Sequence, residues 1–299
     1  AQAVVRGARE HFLRQLERLS IDGVVREYEA SGLDLETKAA NLKLFVASMA
    51  DYVHGTALWR GASAREKTLA AHELEEYVFE RLYAALFRPP QDRAADQAVE
   101  QQISRLGFVL PAHLDIPARF WDSDAWAAAA DELQNMNYCA SPFGKMHCLM
   151  NCTKILLHSL QSRATRGETS ADHFLPHLVY VLIRANPPFL ASNIAFVQRF
   201  ASDSVRTSEA SYYWTSLEVA VSFILQITSR SLRISEADYA RLTSSTVVPL
   251  PPARVAASLD ALPPKALRSL GLAHAGPTLA DAAATAARAI PSRHSRHIT

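Results

Sequence analysis

Apolar side chains recur at spacings of three and four along most of the chain, which is the period of helices rather than of strands. The clearest case is "ELEEYVFERLYAALF", residues 73–87, where Leu74, Val78 and Leu82 form one stripe and Phe79, Tyr83 and Leu86 lie beside it. Acidic residues occupy the start of that segment, where they interact well with the helix dipole. Pro89 and Pro90 disfavour helix in the residue before each and supply no amide donor, so the helix should stop at Phe87. Segments 3–31 and 36–54 repeat the amphipathic pattern, and with 65–87 they predict a bundle of three or four helices ending near residue 90. Beyond it the pattern predicts helices around 94–106, 123–136 and 142–163, an irregular stretch over 111–121, and a last helix over 209–228. The expected fold is all-α.

One stretch between these elements is unusual. "SADHFLPHLVYVLIRANPP", residues 170–188, is a nearly unbroken apolar run that opens on a single acid, Asp172, and closes on Asn186, Pro187 and Pro188. An acid at a helix N-terminus has an ordinary explanation in the dipole, worth about 0.3 to 1 kcal/mol. Pro176 suits a helix that starts at 171–173, because a first-turn proline is tolerated, and the Asn-Pro-Pro end is an ordinary stop. A second stretch, "SEASYYWTSLEVAVSFI" over 208–224, sets Tyr212, Tyr213 and Trp214 side by side. At about 100° per residue three consecutive aromatics fan out, so at least one must face solvent or a partner.

Composition narrows the chemistry. The 299 residues carry 31 basic and 30 acidic side chains, a net charge of +1, so no overall field gathers nucleic acid or anionic lipid. Three cysteines, Cys139, Cys148 and Cys152, fit a reducing compartment rather than a disulfide framework. The expected location is cytoplasmic, and the apolar runs fall short of the ~20 residues a membrane helix needs. The chain opens at Ala1 rather than Met, which is the expectation for a fragment or a processed form. His173 and His177 are four apart, with His147, Cys148 and Cys152 elsewhere, but the usual glutamate partner of an HExxH arrangement is absent, "HELEE" at 72–76 does not supply it, and no full ligand set accompanies them. No metal is expected. Gly-rich phosphate loops, nucleophile elbows and paired carboxylates are absent from the sequence, which leaves covalent catalysis without candidates and implies no cofactor. From Val248 onward Pro, Ala and Ser dominate without a sustained period, which predicts a mostly disordered, mildly basic tail over 244–299.

Taken together, "ADHFLP", "VLIRANPP", "SNIAFVQRF" and "EASYYWTSLEVAVSFI" resemble the vacuolar-protein-sorting-nine domain, the exchange module that Rabex and Rin proteins direct at early-endosomal Rab GTPases. Upstream "ISRLGFVLPAHLDIP" and "SPFGKMHCLMNCTKIL" and downstream "SLRISEADYARL" are similar to its remaining helices, so the likeness covers roughly 65–243. The resemblance implies a helical bundle over 3–90 packed against a layered multi-helix exchange domain over 91–243. It implies a Rab-family partner, peripheral recruitment to early endosomes, and an aspartate, four residues before the Leu-Pro proline, that enters the nucleotide site of the GTPase; here that residue is Asp172. Tyr212 and Thr215 fall where the family has a tyrosine and a threonine that form the binding groove, and Pro176 and Asn186 are implied to border it. His173 stands where a second acid is common, and Trp214 where Phe or Leu is usual. A different class, a Rab-binding adaptor that does not promote release, uses the same helical surface and would not need Asp172. A metal hydrolase is a distant third reading.

Overall fold

The computed structural model describes residues 30–165, 170–202 and 208–244, together with 23, 26 and 28; the side chains of 58, 170–172 and 208 are outside the description. The expected tail and most of the expected helix over 3–31 lie outside the described residues. Nine α-helices and five short 3-10 segments follow from Leu35 onward, with no strand among the described residues. They are α1 Leu35–Gly55, α2 Ala64–Leu86, α3 Arg93–Arg105, α4 Ser123–Asn135, α5 Pro142–Arg163, α6 Ser170–Ala185, α7 Leu190–Phe200, α8 Ser208–Gln226 and α9 Glu236–Ser244. The protein is all-α. No helix among the described residues is long and apolar enough to cross a membrane.

Spacing alone predicts neither α7 nor α9. Each is short, at 11 and 9 residues. The start of α7 falls directly behind Pro187 and Pro188, where a periodic signal has only three turns to build up.

The chain divides into two compact units, each drawn from separate stretches of sequence: Ala1–Ala94 with Asn135–His147 and Ala191–Ala210, and Ala95–Gln134 with Cys148–Leu190 and Ser211–Thr299. The first unit is built on the α1–α2 hairpin. Asp34 caps α1 by accepting the Thr37 amide at 2.9 Å, and Ser63 and Glu66 close a reciprocal capping box on α2. Between the helices lie Ala39, Leu42, Val46 and Val53 from α1 and Leu74, Val78, Phe79, Leu82 and Leu86 from α2. Phe196 and Phe200 of α7 complete this core, meeting Phe79 edge-on at 5.7 and 5.9 Å. Arg199 then fixes α7 with a two-pronged bond to Asp92, at 2.5 and 2.7 Å.

The second unit is organised around α6. A helix apolar on all sides belongs in an interior, and Leu178 through Ile183 are fully buried. Trp126 of α4 packs edge-on against Tyr180 at 4.7 Å. The later half of α5 runs antiparallel to α4, with Asn151 donating to Glu132 at one end and Ser159 and Arg163 reaching Asp122 at the other. Gln102 of α3 donates to the Ile224 carbonyl near the end of α8, and Tyr239 of α9 donates to Ile227.

Candidate functional site

The site expected around Asp172 depends on how α6 begins. The helix starts at Ser170, so Asp172 is its third residue and lies in the first turn; the Asp172 side chain is outside the described residues. Pro176 is then the seventh residue, inside the helix rather than in the first turn that the sequence suggests. This corrects the expected start at 171–173. Proline has no N–H, so the Asp172 carbonyl has no helical donor four residues on. His177 supplies an extra bond one step along: its Nδ1–H donates to the His173 carbonyl at 2.7 Å, while Nε2 faces the Phe120 carbonyl at 3.4 Å. Burial pushes the proton affinity of His177 down, against the pull of those two carbonyls, so the ring is neutral and carries one N–H.

The beginning of α6 is held from two sides. His173 lies tilted against Phe120, ring centres 4.5 Å apart. Phe174, buried, meets the edge of Tyr213 on α8 at 5.6 Å. Tyr213 in turn meets Tyr212 at 5.2 Å. The three aromatics of α8 fan out as their spacing predicts: Tyr212 is 41 % exposed, Tyr213 half-buried and Trp214 only 6 % exposed. Trp214 therefore faces the interior and offers a partner no surface. Thr215 is half-buried one turn beyond Tyr212.

Asn186 lies elsewhere. At 1.5 Å per residue the 14 residues from Asp172 to Asn186 span about 21 Å of helix. Asn186 adopts a positive φ of 39° just past the end of α6, a conformation Asn tolerates better than most residues, and its amide donates to Ser104 Oγ at 3.2 Å. Its neighbour Arg184 donates to the Gly107 carbonyl at 3.0 Å. Since Ile224 is bonded to Gln102 close by on α3, α6 and α8 run the same way, with their N-terminal ends together and their C-terminal ends both tied to α3. The structure thus brings the Asp172 turn, Pro176, Tyr212 and Thr215 to one end of a helix pair and sets Asn186 at the other.

The metal reading gains nothing from this geometry. Among the described residues no three His, Cys, Asp or Glu side chains gather as ligands. Both ring nitrogens of His177 face carbonyls, and burial pushes the Cys152 thiol far up, which keeps it protonated.

The "SNIAFVQRF" stretch belongs to the first unit, and its polar residues hold that unit together. Asn193, almost wholly buried, accepts from Lys145 Nζ at 2.8 Å and donates to Asn137 at 3.0 Å. Lys145 is 0 % exposed and also donates to Tyr83 OH and the Met136 carbonyl, at 3.0 and 2.9 Å. The rings of Phe87, Tyr83 and Phe196 surround its ammonium at 4.7, 5.1 and 5.5 Å. Periodicity gave no hint of a buried lysine, because Lys145 is flanked by residues that read as an ordinary amphipathic turn.

Residues 126–229 match the vacuolar sorting protein 9 (VPS9) domain. Over 213 residues, 70 % of this chain and 44 % of the relative, the sequence is 33 % identical to vacuolar protein sorting-associated protein 9A of Oryza sativa subsp. japonica. The protein of the same name in Arabidopsis thaliana is 33 % identical over 227 residues, 74 % of this chain and 44 % of its own length. The Rab5 GDP/GTP exchange factor of Homo sapiens is 33 % identical over 184 residues, 59 % of this chain and 37 % of its own. The chain spans less than half the length of each of these relatives. The turn that carries Asp172 and the exposed Tyr212 both fall inside the matched stretch, and through it this chain belongs with the proteins that carry a VPS9 domain.

Proposed function

We propose that this chain is a guanine nucleotide exchange factor that promotes GDP release from a Rab-family small GTPase of the early-endosomal group. On this reading it acts in endocytic traffic from the cytoplasm, recruited peripherally to early endosomes, and does no covalent chemistry. The observation that carries the proposal is that, within the matched VPS9 stretch, an exposed Tyr212 connects through Tyr213 to Phe174 in the first turns of α6, in a sequence similar to proteins named for Rab5 exchange.

A GTPase of this class holds its nucleotide through a phosphate loop whose Lys, with Mg²⁺, neutralises the β-phosphate. Asp172 is the carboxylate that would reach that Lys. A charge-assisted bond of about 1.5 to 3 kcal/mol would replace part of what the phosphate supplied, and the added negative charge would oppose both the phosphate and the metal. Release follows from linkage: a factor that binds the nucleotide-free GTPase better than the loaded one must weaken nucleotide binding by the same factor. Tyr212, Thr215 and the Pro176 turn form the docking groove, with Tyr212 as its aromatic anchor. Asn186 shapes the far end of α6.

The test is release of fluorescent GDP from Rab5, with wild-type protein and Asp172→Ala, each checked for helicity by circular dichroism. Wild type should accelerate release strongly. Asp172→Ala should not, and it should stay folded, because an acid in the first turn of a helix is worth about 0.3 to 1 kcal/mol. Binding without acceleration across a panel of Rab proteins would make the chain an adaptor and overturn the proposal.

A further inference from the structure

The first turns of α6 are held differently from the rest of the helix. Residues at a helix start have no carbonyl four positions earlier to receive their N–H groups, so the first turn is attached only through its own carbonyls. Pro176 removes the donor for one of these, the Asp172 carbonyl, at the very position the exchange reading depends on. Side-chain packing therefore carries more of the attachment of this turn. On one side His173 lies against Phe120, and on the other Phe174 meets Tyr213 with ring planes at 66°. The second contact continues outward, since Tyr213 meets Tyr212 at 72°. Three rings in series thus run from the buried Phe174 through the half-buried Tyr213 to the exposed Tyr212, linking the turn that bears Asp172 to the surface of α8.

We propose that Tyr213 is a positioning residue for exchange: through its edge contact with Phe174 it fixes the Asp172 turn relative to the docked GTPase. The inference rests on the exchange reading above. On that reading Tyr213 acts through Phe174 rather than on the nucleotide, so what it controls is how the turn that bears Asp172 stands once the GTPase is bound. The ring contact with Phe174 is the means by which it does this. Loss of the ring should therefore lower the maximal rate of release and leave the concentration needed for half-maximal rate unchanged, whereas loss of Tyr212 should do the reverse.

The experiment is fluorescent-GDP release from Rab5 over a range of exchange-factor concentrations, with kcat and KM extracted for wild type, Tyr213→Leu, Tyr213→Phe, Phe174→Leu and the double variant Phe174→Leu/Tyr213→Leu. Thermal melting is recorded for each. Tyr213→Leu should cost roughly tenfold in kcat with KM unchanged, about the worth of one aromatic pair. Tyr213→Phe keeps the ring contact and should retain a kcat well above that of Tyr213→Leu. Phe174→Leu should fall by a similar factor, and the double variant should lose no more than either single one, because both break the same contact. If Tyr213→Leu melts below the assay temperature, Phe174→Leu against Tyr213→Phe still decides the matter. Losses that multiply in the double variant, or an effect confined to KM, would overturn the positioning role while leaving exchange intact. Failure of wild type itself to accelerate release would overturn the exchange reading, and this inference with it.

Discussion

Lys145→Met tests whether the buried ammonium of Lys145 stabilises this protein. Met conserves the length and most of the volume of the side chain while removing its charge and its three donors. In the wild type those donors reach Tyr83 OH, the Met136 carbonyl and Asn193 Oδ1, and burial pushes the Tyr83 phenol well above its ordinary range, so that partner stays neutral. Bonds to a charged donor are worth about 1.5 to 3 kcal/mol each, so three give about 5 to 9 kcal/mol. The aromatic cage adds on the order of 2 kcal/mol. Against this stands the desolvation of the ammonium, several kcal/mol, which Met does not suffer. The Met136 carbonyl also keeps the Cys139 amide. The balance is a loss of about 3 kcal/mol. For a folded region of this size that is a fall in Tm of about 6 to 12 °C. Thermal unfolding followed by circular dichroism at 222 nm reads it directly. Paired with Asn193→Leu, the double variant should lose at least about 1 kcal/mol less than the sum of the single losses, because both changes break one bond. A Lys145→Met protein as stable as wild type, or more so, would refute the reasoning and show that desolvation outweighs the bonds.

Other perturbations separate fold from site. Arg199→Lys keeps the charge but not the two-pronged bond to Asp92, and with Arg199 only 17 % exposed it should cost about 1 to 2 kcal/mol by urea unfolding. His177 is a base whose folded proton affinity is lowered, so the unfolded chain binds the extra proton first. Its contribution is therefore complete above the unfolded value near 6.5 and is lost as pH falls toward the lower folded value. His177→Asn, which can still donate to the His173 carbonyl, should show a smaller fall in Tm between pH 7 and 5.5 than wild type; an identical fall would exclude His177 as the source. Tyr212→Ala should leave the melting curve within about 0.5 kcal/mol of wild type, because the ring is exposed, yet raise the KM for exchange about thirtyfold, the equivalent of a 2 kcal/mol anchor. A stability loss without a KM effect would make Tyr212 a packing residue.

Helix periodicity made most of the fold legible, because a stripe such as Leu74, Val78 and Leu82 has few other ways to be buried. The same reasoning anticipated the fanned aromatics of α8. What escaped were features decided by groups far apart in sequence. Nothing near Lys145 announces that Asn193, 48 residues on, accepts its hydrogen bond. The position of Pro176 in α6 differs from expectation by one to three residues because only the start of α6 determines whether a proline lies in the first turn or the second, and the run of "TSADHF" offers several starts. Asn186 reads as part of the same site as Asp172 only until the helix between them is given its length.

That separation bears on how the fold can serve a docking turn. A carboxylate that must meet a lysine on another protein gains from being held still before contact, since every side chain ordered on binding costs about 0.5 to 1.5 kcal/mol of affinity. The body of α6, from Leu178 to Ile183, is fully buried and its far end is tied to α3 through Arg184 and Asn186, so the helix axis is fixed over its last half. Its beginning, by contrast, contains a proline, one carbonyl without a helical donor, and two ring contacts, Phe120 with His173 and Tyr213 with Phe174. On the exchange reading this division is what the task requires: a rigid shaft aims the turn, and the ring contacts of Phe120 and Tyr213 hold the turn in place where the backbone ladder is one bond short.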